Sequence, residues 1–324
     1  MDHKFFLTAV TLALPALLAG CGGAPCSFGG CNNPGPQGGA GGGAGGLMIV
    51  DENSALPALR EAWFAATTTA ALPSFVIVTG VGEVIAGPVV VDPAGPTSYD
   101  CPVSGTFMVS GNVADPNTVT AGDFVSYESS VCDSSTGYVV DGVHSLDIVS
   151  IDGDVASGQF EQAQNLEFTD FQATSPTLAT TVNGDHTAVI DTRALNTVTT
   201  SYSGTSLIVN EEQIAVTMRN YSGIASVQTI APFNFLLDTA GRANSTNVSG
   251  SFDYRTDETI RQQLGANPFD GILEIFGLNG GTARIAVVDA AILDVQVDAN
   301  GSTNYEISVN MTWDDFLNGT GVLQ

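Results

Sequence analysis

Apolar and polar residues alternate most strictly along Leu293-Asp294-Val295-Gln296-Val297-Asp298 and again along Tyr305-Glu306-Ile307-Ser308-Val309-Asn310-Met311-Thr312-Trp313. Ala299-Asn300-Gly301 lies between the two runs. A period of two sends successive side chains to opposite faces, and Asn-Gly is a preferred hairpin turn, so the segment predicts a hairpin with one buried and one wet face. Shorter runs of the same kind predict strands at Phe75–Thr79, Thr106–Val109, Leu146–Ile151, Leu207–Val209, Ile214–Met218 and Phe233–Leu237. Helical spacing is clear only at Leu56, Leu59 and Trp63. With Asn53 or Ser54 as cap and Pro57 in the first turn, it predicts a helix from Ser54 to about Thr69. A weaker helical pattern covers Glu258 to Leu264, ahead of Asn267-Pro268.

A small polar residue followed by Gly recurs at Ser104-Gly105, Asp141-Gly142, Asn183-Gly184, Ser203-Gly204, Ser222-Gly223, Ser249-Gly250, Asp270-Gly271, Asn279-Gly280 and Asn300-Gly301. Such pairs read as turns that precede strands. From Gly184 onward most gaps are about 20 residues, which suits either a solenoid of like coils or a meander of like hairpins. The gaps wander and the apolar positions drift out of register between units, which favours the meander. A sheet of a dozen or more strands cannot stay flat or leave its edges bare. The expected fold is therefore all-β: one large antiparallel meander curled into a barrel, a half-barrel or a sandwich, with one short N-terminal helix.

The start of the chain has a different character. Lys4 precedes an apolar run from Phe5 to Ala19, followed by Leu18-Ala19-Gly20-Cys21. The run is shorter than the roughly 20 apolar residues a bilayer span needs, and its small-residue end suits a secretory signal. Leu-Ala-Gly-Cys resembles the lipobox of bacterial lipoproteins. The resemblance implies that Cys21 is acylated after cleavage, and that Gly22, standing where an Asp would retain the protein at the inner membrane, sends it to the outer membrane. Between Gly22 and Gly46 the chain is nearly all Gly, Pro, Ala and Asn. That composition cannot bury enough apolar surface to repay ordering, and it predicts a flexible tether. The expected organisation is a signal at 1–20, lipidated Cys21 with its tether at 21–46, and a β-rich domain at 47–324.

Composition excludes some partners. Residues 1–20 hold one acid, Asp2, and one lysine, Lys4, so the remainder keeps the formal charge of −26 with only seven arginines as cations. Such a surface repels nucleic acid and anionic headgroups. Yet 44% of residues are hydrophobic and only 13% are charged, which is a globular composition. Five cysteines would leave one unpaired in an exported protein, and acylation of Cys21 removes the odd one. Cys101 and Cys132 then predict a disulfide worth about 3.5–4 kcal/mol in the chain-entropy model. Cys26 and Cys31, flanking Ser-Phe-Gly-Gly, predict a small disulfide loop in the tether. The spacing of Cys26, Cys31, Cys101 and Cys132 together matches no zinc pattern.

Catalytic and metal constellations are weak. Phe235-Leu236-Leu237-Asp238-Thr239-Ala240-Gly241 resembles the Asp-Thr-Gly loop of aspartic proteases, with Asp191-Thr192 as a second Asp-Thr. A paired-carboxylate site needs two Asp sharing one proton, and where those proteases have Gly directly after the Thr this chain has Ala240 and Arg193. His144 and His186 each follow a Gly by two residues, near Asp141, Asp185 and Asp147, a loose metal candidate. Asp298-Ala299-Asn300-Gly301 looks like the middle of a calcium loop, but its first and last ligand positions would be Gln296 and Ile307. Asp152-Gly153-Asp154 is a second oxygen cluster. No Gly-x-Ser-x-Gly elbow occurs.

A curved sheet covered by a helix resembles the lipoprotein carriers and lipid-binding lipoproteins of the bacterial envelope. The Cys101 and Cys132 pair, the Asp298-Ala-Asn-Gly turn and Trp313 resemble lipoproteins of the proteobacterial outer membrane, and no activity comes with that resemblance. The expectation is a non-enzymatic envelope lipoprotein without metal or cofactor, membrane-bound through its anchor, holding a hydrophobic ligand in the curve of the sheet. The alternative is a structural or interaction protein that meets another envelope component through its sheet edge or acidic face.

Overall fold

The computed structural model describes residues 46–79, 95–114, 120–133, 139–175, 178–211, 214–263 and 265–323. Fourteen strands form one antiparallel sheet whose order in space is its order in the chain. The first seven are β1 (Thr97–Asp100), β2 (Ser104–Asn112), β3 (Phe124–Asp133), β4 (Val139–Asp154), β5 (Gln159–Ser175), β6 (Leu178–Asp191) and β7 (Thr197–Glu211). The rest are β8 (Ile214–Gln228), β9 (Asn234–Ser245), β10 (Ser251–Gln263), β11 (Pro268–Phe276), β12 (Thr282–Val287), β13 (Ile292–Asp298) and β14 (Ile307–Thr312). A helix α1 (Ala55–Thr79) precedes the sheet and a short helix α2 (Trp313–Asn318) follows it. β1 and β14 do not pair with each other, so the meander is open rather than a closed barrel.

The sheet curls around α1. The helix touches β7, β8, β9, β11 and β12. Flat, those strands would span about 24 Å at about 4.8 Å per step. At 25 residues the helix is about 37 Å long, so it reaches all of them by running across the strands. Sequence explains the fit: α1 presents Ala55, Ala58, Ala62, Ala65, Ala66 and Ala70 with Leu59, all buried. The sheet answers with large side chains at alternate positions, among them Tyr221, Phe235, Tyr254, Leu273 and Val295. Small residues on the helix let it sit deep among big ones on the strands.

The helix begins where Asp51 accepts the N–H groups of Asn53 and Ser54 at 3.0 and 2.8 Å and the Ser54 hydroxyl accepts the Asp51 N–H at 2.9 Å, so Ser54 shares the cap with Asp51. It also runs past Pro73, and Phe75–Thr79 are its last residues rather than a strand. A short apolar run does not separate strand from helix by periodicity alone, and here it continues an established helix. The opposite correction applies at Glu258–Leu264. Glu258 to Gln263 belong to β10, laddered to β9 and β11, with Ile260 and Gln262 turned inward. Pairing on both sides overrides a marginal helical preference.

Most of the polar-Gly pairs are not turns. Gly105, Gly142, Gly184, Gly204, Gly223 and Gly271 lie inside strands, and only Ser249-Gly250, Asn279-Gly280 and Asn300-Gly301 connect strands. β4 to β8 are accordingly 14 to 17 residues long, so the spacing of about 20 residues is one strand plus one turn. Two devices account for the internal glycines. At a bulge in β5, Asp170 takes φ 47°, and its carbonyl fills the place where a Cβ of Gly142 on β4 would stand. Across β7 and β8, Tyr202 lies opposite Gly223 and Gly204 opposite Tyr221. Each ring lies over the bare backbone of the facing glycine.

The predicted C-terminal hairpin is present, with Val297, Val295 and Leu293 opposite Ile307, Val309 and Met311. Trp313 starts α2 instead of ending the strand, and its ring lies 5.3 Å from that of Trp63 on α1. Cys101 and Cys132 form a disulfide that spans 31 positions and packs with Phe107 and Val109 in a small cluster apart from the main core.

Two stability outcomes follow. Gly223→Ala drives a methyl into the Tyr202 ring and lowers the unfolding free energy by about 1–3 kcal/mol in urea titration, whereas Gly46→Ala, with no atom within 4 Å of the new carbon, causes no loss. Replacing Cys101 and Cys132 together by Ala removes about 3–4 kcal/mol and exposes the β1–β3 cluster first, seen as faster amide exchange there.

Candidate functional site

The face of the sheet turned away from α1 carries a depression of about 380 Å³. Its apolar floor is Ile224 of β8, Leu236 of β9 and Phe269 of β11, which are 48, 37 and 39% exposed. Period-two alternation puts them there, because Ala225 and Leu237 next to them point into the core. Asp238 and Thr259 form one side, with the Thr259 hydroxyl donating to both carboxylate oxygens at 2.9 and 3.1 Å. Arg261 pairs with Asp270 at 3.4 Å, and the Asn234 amide donates to Gln228 at 3.0 Å. The surface offers apolar contact framed by satisfied polar groups.

The sequence candidates are dispersed. Cys21, Cys26 and Cys31 lie outside the described residues. Asp238 and Asp191 sit on β9 and β6, about 14 Å apart at three strand spacings, too far to share a proton. Asp191, Asp152 and Glu161 all bind Arg193, whose hydrogen bond and charge hold the Asp191 carboxyl below the usual range. Asp141 accepts the Val131 N–H, Asp147 the Asn165 amide and Asp185 the Thr205 N–H and hydroxyl.

Both histidines face the core. His144 stacks on Tyr127 at 4.9 Å and meets the edge of Phe171 at 5.0 Å, with no hydrogen-bond partner on either nitrogen. His186 stacks with Tyr202 and Tyr221 at 5.7 and 5.8 Å. The Tyr221 hydroxyl donates to the Asp185 carbonyl at 2.6 Å, so at 3.1 Å it accepts a hydrogen bond from the N–H of His186 Nδ1. Burial pushes both imidazoles down to about 4. Asp298 accepts the Ser302 and Thr303 N–H groups at 3.0 and 2.7 Å. Burial opposes ionisation there, but the backbone donors from Asn300 to Thr303 hold its carboxyl low. Gln296 and Ile307 lie on opposite faces of the hairpin. Among the described residues no group of three His, Cys, Asp or Glu is placed to hold a metal.

Glu61 on α1 escaped the sequence reading. It is 2% exposed, and the Ser245 and Asn247 side chains beside it make no well-formed hydrogen bond to either carboxylate oxygen. Burial raises it to about 7, partly offset by Ser245, Asn247 and Arg60 nearby. Its place three residues after Ala58 and four before Ala65, in the buried stripe, is the signal that marks it.

No family model, curated protein or solved structure matches the chain.

The Glu61 geometry has a measurable sign. A folded value above the ordinary 4.5 means the unfolded chain releases its proton first, so this group's contribution is intact below pH 4.5 and falls as pH rises toward 7. In chemical denaturation the stability of Glu61→Gln minus that of the native chain rises from near zero below pH 4.5 to about 3 kcal/mol above pH 7.

Proposed function

We propose that the chain is a lipid-anchored protein of the outer membrane that acts by binding another envelope component, not by catalysis. Its binding surface is the outer face and open edge of the sheet. The observation that carries this reading is the occupation of the concave face by α1. A hydrophobic ligand held in the curve between β7 and β12 would have to displace Leu59 and Ala62, both fully buried. The outer face, by contrast, keeps Ile224, Leu236 and Phe269 in solvent, and apolar patches framed by polar groups are typical of protein contacts. The anchor reading rests on Leu18-Ala19-Gly20-Cys21 and the Gly-rich stretch behind it. Among the described residues no helix is long and apolar enough to cross a membrane.

Expressed with its own leader in a two-membrane bacterium, the chain takes up labelled palmitate and sediments with outer membranes, and Cys21→Ala abolishes both. A photo-crosslinking residue in place of Leu236 captures one discrete protein adduct in whole cells. Stoichiometric lipid in mass spectra of the purified protein, with no adduct at that position, favours the carrier reading instead.

A further inference from the structure

We propose that the free edge of β14 is a strand-addition site for an extended, basic-flanked segment of another polypeptide. The inference rests on the interaction reading above and deepens it. β14 pairs with β13 in unbroken register from Ile307 to Thr312. The Trp313 N–H donates to the Ala291 carbonyl at 3.3 Å, which sets the phase of the ladder. Ile307, Val309 and Met311 therefore exchange bonds with β13, and Ser308 and Asn310 turn their N–H and C=O groups outward. Among the described residues nothing pairs with that side.

Sheet edges are ordinarily blunted by Lys, Pro, bulges or brevity. The other edge, β1, is four residues long and lies between Pro96 and Pro102. β14 is six residues long but lacks the other protections: Ile307-Ser308-Val309-Asn310-Met311-Thr312 carries no charge, no Pro and no bulge.

Side chains and charge specify the guest. Ile307, Val309 and Met311 continue the inner row and Ser308, Asn310 and Thr312 the outer one, so an added strand alternates apolar and polar residues. Glu306 precedes the strand and Asp314 and Asp315 follow it, on a chain of formal charge −26. A second copy docked antiparallel about Val309 would bring Glu306 of each chain beside Thr312 and Asp314 of the other, opposing like charges twice. A segment with Lys or Arg at its ends meets those carboxylates favourably.

The test uses the full chain and a labelled peptide, Lys-Lys-Val-Thr-Ile-Thr-Val-Lys-Lys, beside a counterpart with Glu in place of Lys. The lysine peptide binds saturably in fluorescence anisotropy and weakens as salt is raised, and the glutamate peptide does not bind. Because the Asn310 N–H points outward, Asn310→Pro leaves the β13 ladder whole and weakens the lysine peptide about tenfold. Asn310→Lys, a charge at the rim that leaves the backbone unchanged, weakens the lysine peptide and admits the glutamate one. The proposal is overturned if the lysine peptide fails to saturate, if both peptides bind alike, or if neither variant alters affinity. It is also overturned if the native chain dimerises and Asn310→Pro abolishes the dimer, which would give the edge to a second copy. Failure here with the Leu236 adduct retained removes the edge alone; loss of both removes the interaction reading too.

Discussion

The packing of α1 into the curve of the sheet is the contact on which the other features depend. A sheet of fourteen strands has two faces, and with 44% of its residues hydrophobic the chain is too apolar to leave both in water. Curling around one helix buries the inner face of β7 to β12 without closing the sheet into a barrel. Alanines on the helix make the close approach geometrically feasible, and the large side chains opposite supply most of the apolar area. At about 25 cal/mol per Å², each buried Leu or Phe in those rows contributes about 1.5–3 kcal/mol before entropy is counted. That contact also directs function outward, because the surface left for a partner is the convex face and the two edges.

The same interior tolerates polar atoms that lack a well-formed hydrogen bond. The side chains of Glu61 and His144 make none, and the outer nitrogen of His186 makes none either. Each shifts toward its neutral form, since an isolated charge at low dielectric is far more expensive than a displaced titration. Glu61 and the histidines act in opposite directions with pH. Acid charges imidazoles that the fold keeps neutral, and base charges a carboxyl that it keeps protonated. The core is therefore most comfortable near neutrality on its acid side, and the numerous surface carboxylates engaged by backbone N–H groups reinforce the loss in acid.

Much of the architecture was legible because period two is hard to imitate. The Leu293–Thr312 hairpin, the meander and the helix at Leu56–Trp63 all follow from alternation, an Asn-Gly turn and a helical stripe. Glycine was misleading. The repeated Tyr-Ser-Gly at Tyr202 and Tyr221 reads as two turns but makes one reciprocal contact when its strands pair antiparallel. Only pairing reveals that, because a strand glycine is explained by what lies across from it. Phe75–Thr79 and Glu258–Gln263 failed for the converse reason: local propensity was near balance, and a neighbouring element decided it. The outer depression was not legible either, as its residues come from four strands and no single segment carries its pattern.

An outward-facing binding surface requires that α1 stay in the sheet. Hydrogen–deuterium exchange of the full chain measures this directly. If the helix fills the concave face, the amides of residues 55–72 exchange only through global unfolding, with the same protection and denaturant dependence as β8 and β9. Exchange of α1 that is much faster than that of those strands, and insensitive to denaturant, would mean that the helix leaves while the sheet persists. The concave face would then be open to a ligand, and the outward-facing account would be wrong.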